Sequence, residues 1–178
     1  MNGSFDTRDE IIAALRRIIR AVDRHSKFLA QRYGLTGPQL VVLQFIEQHG
    51  PQTTSQLARG VSLGQATLSD ILERLERKNL IERRRSKADK RRVINELTAA
   101  GRDALEKAPP LLQERFVKEL QRLADWEQTQ ILSTLQRVAE MMRAQDIEAS
   151  PVLVSGPVGV SAEETADFLT GQEEGEES

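Results

Sequence analysis

No cysteine occurs among the 178 residues. Disulfides within the chain and thiol-based sensing of oxidants are therefore excluded, and the composition suits a reducing compartment. No apolar run approaches the roughly 20 residues that a bilayer-spanning helix needs. The opening MNGSFDTRDE is charged where a secretory leader would be apolar, so a cytoplasmic location is expected. Histidine is scarce: His25 and His49 stand far apart, without the ligand spacing of a metal site. The patterns G-x-S-x-G, Walker A and G-x-G-x-x-G are missing too, and no nucleophile is paired with a base. No catalysis, metal or cofactor is assigned.

Basic charge is lacking in only one place, and that place is informative. After Arg143 there is no Lys or Arg, while nine carboxylates follow. The formal charge of −2 thus conceals a body holding all 25 basic residues against 18 acidic ones, a net +7. A pI near 5.8 argues against a nucleic-acid partner only if the tail is averaged in; the asymmetry between body and tail argues for one.

What is present is concentrated between Thr53 and Thr98. Thr53-x-x-Gln56 and Ser62-x-x-Gln65 both read as capping boxes, each opening a helix. Gly60 lies between them, where a chain leaving a helix commonly needs a positive φ. Two capped helices joined by a short glycine-containing turn predict a helix-turn-helix. In the second helix, expected over 63–78, Leu68, Ile71, Leu72 and Leu75 form one buried stripe. Gln65, Ala66, Thr67, Ser69 and Asp70 near its start are short, polar or both. Such side chains let a helix enter a major groove, where Gln can pair with adenine and a methyl can touch thymine. A plain solvated helix face is the competing reading of those five residues.

The following segment weakens that competitor. Leu80-Ile81 and Val93, Asn95 and Leu97 predict two strands, joined through ERRRSKADKRR over 82–92. Seven basic residues there meet two acidic ones, net +5. A basic hairpin tip directly after a helix pair is placed to meet phosphates, the source of salt-sensitive affinity, or a narrow minor groove. The combination predicts a winged helix-turn-helix.

At these residues the chain resembles the MarR family of transcriptional regulators over about 8–145. The family's wing pattern D-x-R, five residues, L-T stands as Asp89-x-Arg91 followed by Leu97-Thr98, and Gly101 completes L-T-x-x-G. The resemblance implies that Arg91 enters the minor groove and that Asp89 stabilises the wing through a neighbouring Arg. It places Gln65, Ala66, Thr67, Ser69 and Asp70 on the recognition helix, with Arg85, Lys87, Lys90 and Arg92 beside Arg91 at the DNA backbone. Asn79 stands where a glycine is common, a mild departure because Asn tolerates the left-handed conformation. The resemblance also implies a homodimer on double-stranded operator DNA, most often as a repressor, relieved by a small-molecule or ionic effector. A finer similarity, to regulators of ectoine biosynthesis in halotolerant bacteria, rests on VSLGQATLSDILERLERKNLIERRRS, the double proline before LLQERF, and WEQTQILSTLQRVAEMM.

The flanks extend the expectation. Residues 8–32 form a helix whose stripe of Ile11, Leu15, Ile18, Val22 and Leu29 exceeds what a lone helix can hide. Gly34 ends it, and Thr36, Pro38 and Gln39 start the next. Thr98 caps a helix that Pro109-Pro110 interrupts. A last helix from Trp126 carries Ile131, Leu135, Val138 and Met142. Long apolar helices at both ends suggest termini intertwined between two subunits; a monomer with a larger helical core is the alternative.

The expected fold is mostly α with a small β-wing: dimerisation helix 8–35, winged helix-turn-helix 36–98, dimerisation helices 99–145. Residues 146–178 read as an acidic, disordered, solubilising tail; docking of its apolar part on the dimer, or competition with DNA for the wing, are the alternatives. Two other classes of function stay open at this point. One is a non-specific architectural DNA-binding protein of the same fold, and the other is a winged helix that contacts only proteins.

Overall fold

The computed structural model describes residues 6–86, 90–144 and 152–155. Seven helices and three short strands occur among them: α1 (Thr7–Tyr33), α2 (Gly37–His49), β1 (Gln52–Thr53), α3 (Thr54–Gly60), α4 (Gln65–Arg77), β2 (Ile81–Arg85), β3 (Val93–Leu97), α5 (Ala99–Lys107), α6 (Leu112–Leu120) and α7 (Asp125–Met141). The mostly helical fold with a small antiparallel wing is as expected, with one addition. The ribbon predicted as two strands is a three-stranded sheet of order β1-β3-β2. Two residues, Gln52 and Thr53, pair with Asn95 and Ile94, too short a strand to leave a period in the sequence.

The punctuation of the helices follows from local chemistry. Gly34 ends α1 at φ 64°, its N–H bonding back to Ala30 and Leu29. Thr36 donates its N–H to Gln39 Oε1 at 3.0 Å, closing the predicted box at the start of α2. Thr98 Oγ1 accepts the Gly101 N–H at 2.9 Å and donates to Asn79 O at 2.7 Å, fastening α5 to the end of α4. Asn79 adopts φ 55°, the conformation expected of a residue standing in a glycine's place. Pro109-Pro110 separates α5 from α6, as the loss of two helix donors requires.

The core sits between α2, α3, α4 and the sheet. Leu40, Val42, Leu43, Ile46, Leu57, Leu68, Ile71, Leu72, Leu75 and Ile81 are all essentially inaccessible. By contrast α6 and α7 bury no residue, and α1 buries only Ser26, Leu29 and Ala30 near its C-terminal end. No helix among the described residues is long and apolar enough to cross a membrane.

Candidate nucleic-acid interface

The helix-turn-helix forms, but its turn differs from the one expected. The first box is present: Thr53 Oγ1 accepts the Gln56 N–H, and Gln56 Oε1 accepts the Thr53 N–H at 2.9 Å. The second box, Ser62-x-x-Gln65, does not form. Ser62 takes φ 53°, and Leu63 N–H bonds back to Ala58 O at 3.2 Å. Ser62 is therefore the left-handed residue that closes α3, and α4 begins only at Gln65, with Gly64 as an N-cap that lends no side chain. Gly60 likewise has another role than the one predicted. It lies in the last turn of α3 without a positive φ, and a Cβ there would overlap the Phe45 ring. A glycine is required so that α3 can pack closely on α2, which is a tertiary reason and not a turn reason.

With α4 starting at Gln65, its two faces separate as predicted. Leu68, Ile71, Leu72 and Leu75 are buried, while Gln65, Ala66, Ser69, Asp70, Glu73 and Arg77 are exposed and Thr67 is half-buried. Ser69 donates its hydroxyl to Gln65 O at 2.8 Å, which leaves its oxygen lone pairs turned outward as acceptors in this conformation. The helix presents its free N–H groups and positive end on the same side as Gln65 and Ala66.

The basic segment is shorter as a loop than it looked. Arg83, Arg84 and Arg85 belong to β2, paired with Asn95, Ile94 and Val93. Arg83 is half-buried and ion-paired with Glu76 of α4 at 3.5 Å, and Arg84 pairs with Glu96 on β3. These two arginines thus hold the wing to the helix and the strands to each other. Arg85, Lys90, Arg91 and Arg92 are exposed at the outer end of the hairpin, which Ser86 N–H closes onto Arg92 O at 2.9 Å. Lys87 and Asp89 lie outside the described residues.

One residue that sequence reasoning passed over carries the geometry of the site. Asn95, an ordinary strand residue by pattern, has no exposed surface and donates through Nδ2 to Gln52 O at 3.0 Å, with Thr54 Oγ1 at 3.4 Å. It ties the wing to the first turn of α3. A polar residue between Val93 and Leu97 on the inward side of the strand was the available signal. Among the described residues no group of His, Asp or Glu could hold a metal ion.

Helix pair, wing and their cross-links define a winged helix-turn-helix protein. Residues 35–93 match the MarR family. MgrA of Staphylococcus aureus, an HTH-type transcriptional regulator, is 30% identical over 134 residues, spanning 69% of this chain and 90% of its own length. NicR of Pseudomonas putida, an HTH-type transcriptional repressor, is 28% identical over 144 residues, or 78% of this chain and 88% of that one. A crystallised MepR-like protein in complex with pseudoligands superposes with a TM-score of 0.54 at 26% identity, covering 75% of this chain and 94% of that chain. The chain belongs to the MarR family of winged helix-turn-helix transcriptional regulators, and as a member it is a DNA-binding regulator of transcription.

Proposed function

We propose that the chain acts as a homodimeric repressor that binds a pseudo-palindromic operator through α4 and the wing. The observation that carries this reading is the pairing of a groove-compatible helix face (Gln65, Ala66, Thr67, Ser69, Asp70) with an exposed basic hairpin end (Arg85, Lys90, Arg91, Arg92). Short side chains at the start of α4 allow close approach to base edges. The arginines and lysine of the wing neutralise phosphates, and Arg91 reads the minor groove. The same reading counts Lys87 among the DNA-binding residues and gives Asp89 a wing-stabilising role; both lie outside the described residues.

In this reading 8–35 and 99–145 dimerise, 36–98 reads DNA, and 146–178 is an appended acidic tail. Two-fold symmetry sets the two recognition helices about one helical turn of DNA apart, roughly 34 Å. The support for a second copy is the apolar surface left bare on one chain: Ile18 and Ile19 on α1, Phe116 on α6, and Trp126, Leu132 and Met141 on α7. Large apolar side chains left exposed together on flanking helices are characteristic of an interface. Repressor NicR and the pseudoligand complex of the MepR-like protein support repression and relief by a small-molecule or ionic effector. The protein works in the cytoplasm, where operator DNA is. As the finer reading, the resemblance of segments 61–86, 109–116 and 126–142 supports a regulator of ectoine biosynthesis that answers an osmotic signal.

Selected-site enrichment with purified protein, followed by titration of the best site in rising salt, tests the reading. An inverted repeat preferred over random DNA by about three decades or more is expected. Replacing Arg91 by Ala should weaken binding across sequences and lower the salt slope by about one. Diffuse enrichment with steep salt sensitivity would favour an architectural DNA-binding protein. The genes beside the enriched site would establish or remove the ectoine assignment.

A further inference from the structure

Residues 152–155, beyond the last helix, lie on the body of the protein. Val152 is 4% exposed and belongs to the hydrophobic core, and Val154 packs against it, while Leu153 between them is 44% exposed. Such in-out-in alternation is extended chain laid on an apolar surface. Ser155 is held by α1 at two points: its N–H donates to Ser26 Oγ at 3.0 Å, and its hydroxyl donates to the Asp23 carboxylate. The slot beneath the two valines exists because Gly37, first residue of α2, has no side chain. A Cβ there would overlap Val154 and touch Val152. Four residues more than a hundred positions along the chain therefore bridge the long N-terminal helix and the first turn of the DNA-reading module.

We propose that Val152–Ser155 is a displaceable strap that sets the angle between α1 and α2, and that its release changes the affinity for DNA. Displaceability follows from the size of the contact. The contact is four residues long and is held chiefly by two valine side chains and the hydrogen bonds of Ser155, so the gain from burial is of the same order as the cost of ordering them. An effect on DNA follows from where the strap acts. Other ties of α1 to the module lie near its C-terminal end, among them Leu29, Ala30 and the bond from Lys78 Nζ to Gly34 O. Ser26 lies about one turn and Asp23 just under two turns before Leu29, so a contact there extends the hold on α1 and adds leverage over the direction in which it leaves. In a dimer joined through α1 and α7, that direction sets the spacing of the two recognition helices. The second half of this inference rests on the DNA-binding reading above; the docking of the strap does not.

Amide hydrogen exchange on the full chain, paired with titration of the selected operator, tests both halves. Segments 152–155 and 23–37 should exchange slowly in the unaltered protein. Val154→Asp should speed exchange in both by about tenfold or more while β2 and β3 keep their protection. Val154→Gly, which adds no charge, should do the same. Leu153→Asp places an equal charge on the outward side and should change neither segment. Operator affinity should move by about fivefold or more in the two Val154 variants and stay unchanged in Leu153→Asp. Rapid exchange of 152–155 in the unaltered chain would overturn the docking. Release of the strap with affinity unchanged would overturn its regulatory role. An unaltered chain that shows the expected exchange pattern but binds no DNA would overturn the regulator reading, and the affinity half with it, while leaving the docked strap in place.

Discussion

The DNA-reading module and the helices that flank it are built from similar apolar residues, yet they treat them oppositely. In α2, α3 and α4 nearly every leucine and isoleucine is inaccessible. In α7, Trp126 is 68% and Met141 70% exposed, and the N-terminal two-thirds of α1 contains no fully buried residue. Amphipathic helices in both regions carry a stripe, but only the module finds within its own chain something to lay the stripe against. The module holds most of its core on its own elements, and under the dimer proposed above the flanks are half of a core whose other half is a second copy. One chain can thus combine a rigid reader with an adjustable frame, since few flank residues, Leu29 and Leu111 among them, reach into the module's core.

The sharpest way to break that contrast is to cut into each region separately. Leu72→Ala, at a fully buried position of α4, should cost about 2–5 kcal/mol, read as a shift in chemical denaturation. Leu135→Asp, on the 47% exposed face of α7, should instead yield a monomer by sedimentation while the circular dichroism of the module persists. A variant that remains dimeric would remove α7 from the interface. Asn95→Ala should cost about 1–3 kcal/mol, because Gln52 O loses its donor inside the protein. Since it loosens the wing from α3, it should weaken operator binding as well; wild-type affinity would show that the wing is positioned by Arg83 and Glu76 alone.

The smallest expected effect lies at the seam between α1 and α6. His25 Nε2 accepts the N–H of Leu112, first residue of α6, at 3.2 Å. Burial, with the Arg115 charge adding to it, holds the His25 pKa below its ordinary value. The folded state therefore favours neutral imidazole, and the unfolded chain takes up the proton first as pH falls. Stability from this contact is fully present above about pH 6.5 and declines below it. Melting of the wild type should fall more between pH 7.5 and 5.5 than melting of His25→Gln; equal slopes would dismiss the contact as a source of pH dependence.

Much of the reading site was legible before any coordinates. The stripe Leu68, Ile71, Leu72, Leu75, the Thr53 and Thr98 caps, Asn79 in the left-handed region and the break at Pro109-Pro110 all stand where sequence chemistry put them. Each depends on groups within about one or two helical turns, so periodicity and backbone sterics suffice. The misreadings have a common cause. Ser62-x-x-Gln65 has the spacing of a box, but whether Ser62 opens α4 or closes α3 depends on how α3 packs. Gly60 is required by the Phe45 ring, Arg83 is drawn inward by Glu76, and Asn95 is buried by Gln52, none of them a sequence neighbour.

By itself, then, the order of residues determined the helices, the two longer strands and most of their faces, because those are set by local dihedral preference and by the period of apolar side chains. Only the tertiary structure decided which basic residues face outward, which polar residue ties wing to helix, and that Val152–Ser155 lies in the slot over Gly37. Those outcomes depend on which surfaces meet across tens of residues, and packing at that range is fixed by complementarity of shape and by satisfaction of buried polar groups, which no local pattern encodes.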